Sequence, residues 1–316
     1  MEYRKLISFG KNSFVVSLPK AWVRQSKLKK GDLIYIEVND QNLVLSKNET
    51  DKVNLDKVQT IDIDGKSLNL IAREVNASYI SNYRTIILKG KDIKDKIKDL
   101  QNIFQNLIAL EVMEQTSNSI IAKDFLNINQ VSVDELIRKM DIITRTMLKE
   151  SAQNIHKDNY ENINQRDKDV NRLYFLLYRT VLYNMENLSN AYKKLKLSPI
   201  DLLNYLFIGF YIEGIADEAR RTARYSRLVN IDNKEKALWD KFFEKTIQYY
   251  TDTIKSVYNK DYNLALNLSS LKEDFNKELD LFDKRNAEVN FVNMSGRVRR
   301  MLSYTHSMGR IVYQNA

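Results

Sequence analysis

Three patterns of apolar and polar positions succeed one another along the chain. In the first, Phe14-Val15-Val16 is a short β-favouring run stopped by Leu18-Pro19, and Pro19 opens a short helix carrying Ala21, Trp22 and Val23. Leu28 to Asp32 reads as a turn, with Gly31 free to take a positive φ. Leu33, Tyr35 and Glu37 then alternate with Ile34, Ile36 and Val38, which predicts a strand with one wholly apolar face. A hairpin at Asn39 to Asn42 returns the chain through Leu43-Val44-Leu45. The second pattern mixes periods. Val58–Ile63 and Thr85–Leu88 read as strands, and Lys66–Ala77 is helical through Leu68, Ile71, Ala72 and Val75. A second helix carries Ile93, Ile97, Leu100, Phe104 and Leu107 at helical spacing, and Ile108–Met113 with Ser119–Ala122 predicts a hairpin around Ser117-Asn118. From Val131 onward only the helical period remains. Ser132 with Glu135 three residues later marks a helix start, and six helices follow to about residue 313, the fifth spanning about 262–284.

These patterns predict a multidomain α+β chain: a β-module over 1–50, an α/β connector over 52–128, and an all-α part over 129–316. The helical part reads as three helices repeated once, about 129–228 and 233–316. Its first interhelix turn holds Lys157-Asp158-Asn159-Tyr160, and about one hundred residues later the matching turn holds Lys260-Asp261-Tyr262. Such a tandem of three-helix bundles needs only short connections.

Composition narrows the chemistry. The 316 residues carry a formal net charge of +9 and no cysteine. Disulfides and thiolate metal sites are therefore excluded. The two histidines, His156 and His306, stand far apart on helical segments and read as ordinary polar residues. The first residues contain no apolar signal core, and the apolar stretch Leu202–Ile215 is interrupted by Asn204 and Glu213. A cytoplasmic chain that is not an integral membrane protein is expected. Arg4, Lys5, Lys11, Lys20, Arg24, Lys27, Lys29 and Lys30 face a single acid, Glu2, in the first thirty residues. That local excess suits the phosphate backbone of DNA. A module of about fifty residues without a disulfide or metal also buries too little apolar surface to stand alone, which predicts a homodimer. No nucleophile–base pair or phosphate-cradling glycine loop is present, so no enzyme is expected.

The N-terminal pattern resembles the SpoVT–AbrB family on Gly10, Ser13, Val16, Leu18, Pro19, Trp22, Leu28, Gly31 and Asp32. The resemblance implies an intertwined, swapped-hairpin dimer that sets strand and loop cations in the DNA groove. Arg4, Lys5, Lys11, Lys20 and Arg24 are then the contact candidates. In the connector, Leu107, Ile108, Leu110, Glu111, Glu114, Thr116 and Ser117 resemble a segment of archaeal PhoU-like regulators. Among the helices, Arg166–Arg179 and Ile212–Ala223 resemble the second- and third-helix signatures of PhoU proteins.

That likeness implies a divalent or iron-type metal ion in the first repeat, held by Asp167, Glu213 and Asp217, with Glu218 nearby. Residues four apart on a helix share a face, so Glu213 and Asp217 can approach one hard cation; the alternative is that these acids lie on a solvated face or pair with Arg220, Arg221 and Arg224. The pattern is incomplete, because Asn171 stands where a second-helix acid is expected and Arg299 and Ser303 where the second repeat's acids would be. Taken together, the chain resembles an archaeal PhoU-like phosphate uptake regulator with an N-terminal AbrB domain. The resemblance implies a DNA-binding transcriptional regulator of phosphate homeostasis. The alternative is an interaction protein acting on a phosphate transporter or signalling kinase without touching DNA.

Overall fold

The computed structural model describes residues 3–39, 42–47, 57–186, 188 and 191–314. The tip of the expected hairpin, Asp40-Gln41, lies outside them. The chain divides into two compact units, Met1–Leu55 and Asp56–Ala316.

In the first unit, β1 (Ile7–Phe9) pairs antiparallel with β2 (Ser13–Val15) across a turn in which Gly10 takes φ 72°. That left-handed conformation carries no steric cost for glycine. Pro19 precedes α1 (Lys20–Gln25), and β3 (Tyr35–Asn39) pairs with β4 (Asn42–Ser46). The register sets Ile36 opposite Leu45 and Val38 opposite Leu43, so the expected apolar face forms. Within its own unit it stays largely uncovered: Ile36, Val38 and Leu43 are all about two-thirds exposed.

The second unit begins with β5 (Val58–Asp62), α2 (Leu68–Ile80) and β6 (Thr85–Lys89). β5 and β6 are parallel neighbours, as a strand–helix–strand crossover requires. After α3 (Ile93–Gln105), the antiparallel hairpin β7 (Leu110–Gln115) and β8 (Ser119–Asp124) completes a sheet of order β5-β6-β8-β7. Alternation along β6 buries Ile86 and Leu88, which pack in one core with Ile71, Val75 and Tyr79 of α2 and Leu100 and Phe104 of α3.

The helical part comprises α4 (Val133–Gln153), α5 (Tyr160–Glu186), α6 (Pro199–Ser226), α7 (Asn233–Asn259), α8 (Tyr262–Ser269), α9 (Leu271–Arg285) and α10 (Val289–Gln314). Ser132 caps α4 through the Glu135 N–H, and a complete capping box with Pro at the first turn starts α6 at Ser198–Asp201. The helix expected over 262–284 is broken at Ser270. Ser269 and Ser270 turn their hydroxyls back to the carbonyls of Leu266 and Asn267, a competition that bends helices. Gly214 lets α6 and α10 approach closely, since a Cβ there would lie 2.9 Å from the Tyr304 ring.

Between the two sets of helices, Asp141 of α4 is buried and accepts hydrogen bonds from the hydroxyls of Tyr250 and Tyr258 of α7, both at 3.0 Å. Arg145 completes its pairing. Trp239, packed edge-on against Phe282 and Phe291, anchors the second set. One hydrophobic cluster runs through both.

Candidate functional site

All five cations expected to contact DNA are exposed. The register of β1 with β2 places Lys11 in the closed turn of that hairpin. Arg4 and Lys5 precede β1 at the open end, from which the chain continues through Pro19 to Lys20 and Arg24 on α1. The candidates thus divide between two ends of one hairpin, roughly 15 Å apart at strand rise. Among the described residues of this unit no side chain is buried.

The acids expected in the helical part do come together. α5 carries Asp167, and α6 carries Glu213, Asp217 and Glu218. Two arginines from the same face of α6 join them. Arg220 Nε lies 2.9 Å from Asp167 and its terminal nitrogen 2.5 Å from Asp217, while Arg221 lies 2.7 Å from Asp217. Glu213 is left with no hydrogen bond or ion pair among the described residues. Burial first, then the neighbouring Asp217 and Asp167, push its carboxyl up to about 7. Burial also raises Asp167, with Arg220 opposing and Asp217 adding to the shift. Tyr174, half-buried near Glu213, is pushed up to about 12, first by desolvation and then by the Glu213 charge.

Among the described residues no group of three Asp, Glu or His side chains is placed to hold a metal ion. The guanidinium of Arg220 stands between Asp167 and Asp217, supplying the positive charge a cation would bring. These residues therefore do not fit the divalent or iron-type ion expected from the resemblance. The histidines are elsewhere: His156 pairs with Asp240, and His306 on α10 is lowered by burial and by Lys272 and Arg310. In the second set of helices, Arg299 of α10 bridges Asp280 and Asp283 of α9, both at 2.7 Å. An arginine between two acids is thus common to both sets.

Two arrangements were not anticipated. Arg179 of α5 is fully buried and reaches out of the helices to the sheet: it pairs with Asp124 of β8 at 2.6 Å, donates to Asn82 at 2.8 Å, and lies 4.5 Å over the Tyr79 ring. Arg84 reaches the same Asp124 oxygen, Oδ2, at 3.0 Å. The available signal was a lone cation inside the apolar run Leu176 to Val181. The second is Glu218, 2% exposed, around which Arg221, Arg297 and Arg300 gather. Arg297 and Arg300 lie about eighty residues beyond it, so spacing along the chain carried no signal.

Residues 7–53 match the family model of the MazE antitoxin, described as antidote-toxin recognition MazE, bacterial antitoxin. Residues 137–226 match the PhoU domain model. Among solved structures, PhoU from Pseudomonas aeruginosa aligns with 57% of this chain and 93% of its own, at 10% identity and a TM-score of 0.48. No curated protein matches. The chain therefore carries a MazE/AbrB-type domain at its N-terminus and a PhoU domain in its helical part, in a multidomain α+β arrangement. No helix among the described residues is long and apolar enough to cross a membrane.

Proposed function

We propose that this protein is a dimeric DNA-binding transcriptional regulator of phosphate homeostasis, of the archaeal phosphate-uptake type, acting in the cytoplasm. The observation that carries the reading is the N-terminal unit, whose apolar side chains and candidate cations are together left facing outward. Ile36, Val38, Leu43, Phe9 and Phe14 are each more than half exposed, which no isolated soluble module tolerates comfortably. A second copy closing over that face would give the unit a core and double its field of Arg4, Lys5, Lys11, Lys20 and Arg24. The PhoU domain would then set when the DNA-binding end is engaged.

The test is retention of host DNA fragments by the full chain across a salt series. Each neutralised phosphate contributes a slope of about −0.9 in log affinity against log salt, so ten cations in a dimer set an upper bound of about −9. A steep slope that shrinks when Arg4 and Lys5 are changed to Ala is expected. A response flat in salt would overturn the reading.

One observation favours a second reading, in which the helical part docks on a transporter or kinase component and the N-terminal unit only clamps the dimer. Ile200, Leu203, Phe207 and Phe210 form an exposed apolar stripe at helical spacing along α6. Retained partner docking with no DNA retention would select that reading.

A further inference from the structure

Glu218 is an unusual buried carboxylate. Its side chain is 3% exposed and three guanidiniums surround it, yet every contact is long: Arg221 at 3.3 Å, Arg300 at 3.5 Å and Arg297 at 3.7 Å. Charge-assisted pairs normally close to about 2.7–2.9 Å. Both hydrogen bonds, from Arg221 and Arg300, fall on Oε1, while Oε2 is buried with no hydrogen-bond partner. A buried carboxylate oxygen left without a donor is costly.

The cations are in excess. Arg221 is shared with Asp217, and Arg297 and Arg300 have no other carboxylate among the described residues. Three guanidiniums within 3.7 Å of one carboxylate must also lie close to one another. Arg297 rests 5.6 Å over the Tyr225 ring, which gives it a platform, and Arg300 is 59% exposed, which opens the cluster to solvent. The site therefore offers several N–H donors of positive charge and one acceptor lacking a donor.

We infer that the junction of α6 and α10 at Glu218, Arg221, Arg297 and Arg300 is a binding site for inorganic hydrogen phosphate. The anion's unprotonated oxygens accept from the arginines as these turn away from Glu218, and its remaining O–H donates to the Oε2 that they uncover. Sulfate carries no O–H at neutral pH and would set an acceptor against the carboxylate. A phosphomonoester, with its second pKa near 6, is in the same position at pH 8. Glu218 is thus the specificity residue and the arginines supply the affinity. The site rests on the regulatory reading above only for its purpose, as the place where phosphate would be sensed.

Titration calorimetry on the full chain without DNA, at pH 8 and matched ionic strength, tests it with inorganic phosphate, glycerol 3-phosphate and sulfate. Phosphate is expected to bind at least tenfold more tightly than the other two. Arg300→Gln should weaken phosphate binding about tenfold, the loss of one charged hydrogen bond. Glu218→Gln should erase the preference over sulfate, because an amide can turn an N–H toward either anion. A melting curve checks that Glu218→Gln folds; if it does not, the exposed Arg300 variant and the three-ligand ranking decide alone. No saturation at millimolar phosphate, equal binding of sulfate or glycerol 3-phosphate, or an unchanged Arg300→Gln would each overturn the inference. Lost phosphate binding with intact DNA retention refutes this site alone, and the reverse result refutes the DNA reading alone.

Discussion

Leu33 and Ile71 are aliphatic residues of the same size, yet Leu33 is 79% exposed and Ile71 has no exposed surface. They stand for two ways of satisfying apolar surface within one chain. In residues 56–316 long helices and a four-stranded sheet supply enough partners to bury their own faces. In the first unit, two separate hairpins and a short helix cannot. An uncovered aliphatic side chain forgoes about 1.5–3 kcal/mol of burial, so several in one unit make self-association the natural remedy. The contrast teaches that stability in the two regions should respond to different variables: protein concentration for the first, internal packing for the second.

The largest expected effect would break that comparison directly. Ile36→Asp places a charge on the apolar face shared with Val38, Leu43 and Leu45. In the full chain it should halve the mass measured by sedimentation and weaken DNA retention by at least about a hundredfold, since burying an unpaired carboxylate costs several kcal/mol. The melting of the second unit should not move. If mass and DNA retention were unchanged, the face would be covered by something other than a second copy.

Next in size is a disruption confined to the second unit. Arg179→Ala removes the fully buried guanidinium that joins Asp124, Asn82 and Tyr79. Deleting one partner of a buried pair commonly costs about 3–5 kcal/mol, and the lower end applies because Arg84 remains on Asp124. Denaturant unfolding should show the loss at every protein concentration, which would separate it from the concentration-dependent change expected at Ile36 if the proposed dimer forms.

These two residues also show what was legible in the sequence. The apolar face of Ile36 and Val38 could be read from simple alternation, and the helices after Val131 from their period, because both are local properties of the chain. Ser132 announced a helix start for the same reason. Gathering across distance was not legible. Arg179 meets Asp124 across 55 residues and Arg300 meets Glu218 across 82, and no local pattern encodes such pairings. The acids Asp167, Glu213 and Asp217 were found through a family signature tied to metal. The alternative, pairing with nearby arginines of the same helix, was equally readable from spacing, and it is the one that Arg220 and Arg221 realise. The break at Ser270 was missed because serine interrupts a helix only when its hydroxyl competes for the backbone.

A smaller effect sharpens the picture of that cluster. The Glu213 carboxyl is raised from 4.5 to about 7. Between those values the folded chain keeps a proton that the unfolded chain has released, so stability falls as pH rises through the window and is unaffected below it. Glu213→Gln has no proton to lose. It should leave stability unchanged at pH 4 and raise it at pH 8 by on the order of 2 kcal/mol, read as a difference in denaturant midpoints. A variant less stable at pH 8 would mean that the ionised carboxylate is bound by a cation after all.

The smallest effect is expected at Arg299, and its size is the informative part. Arg299 copies the arrangement of Arg220, one guanidinium between two acids, but Asp280 is 60% exposed and only Asp283, at 24%, is as sheltered as Asp167 and Asp217, at 18% and 23%. Water screens an exposed pair and side-chain entropy offsets much of the remaining attraction, so such pairs are worth about 0.2–1 kcal/mol. In the denaturant midpoint, Arg299→Gln should therefore lose little through Asp280 and otherwise only the share carried by Asp283, so 1 M salt should remove most of the difference from the parent protein. Arg220→Gln should lose more and keep its loss in salt, because Asp167 would be left half-buried beside Asp217 and Glu213 with Arg221 as the remaining cation. Equal losses at the two arginines would show that burial does not separate the two sets of helices. A larger, salt-resistant loss at Arg220 would place the internal electrostatic tension of the molecule in the set that carries the PhoU match.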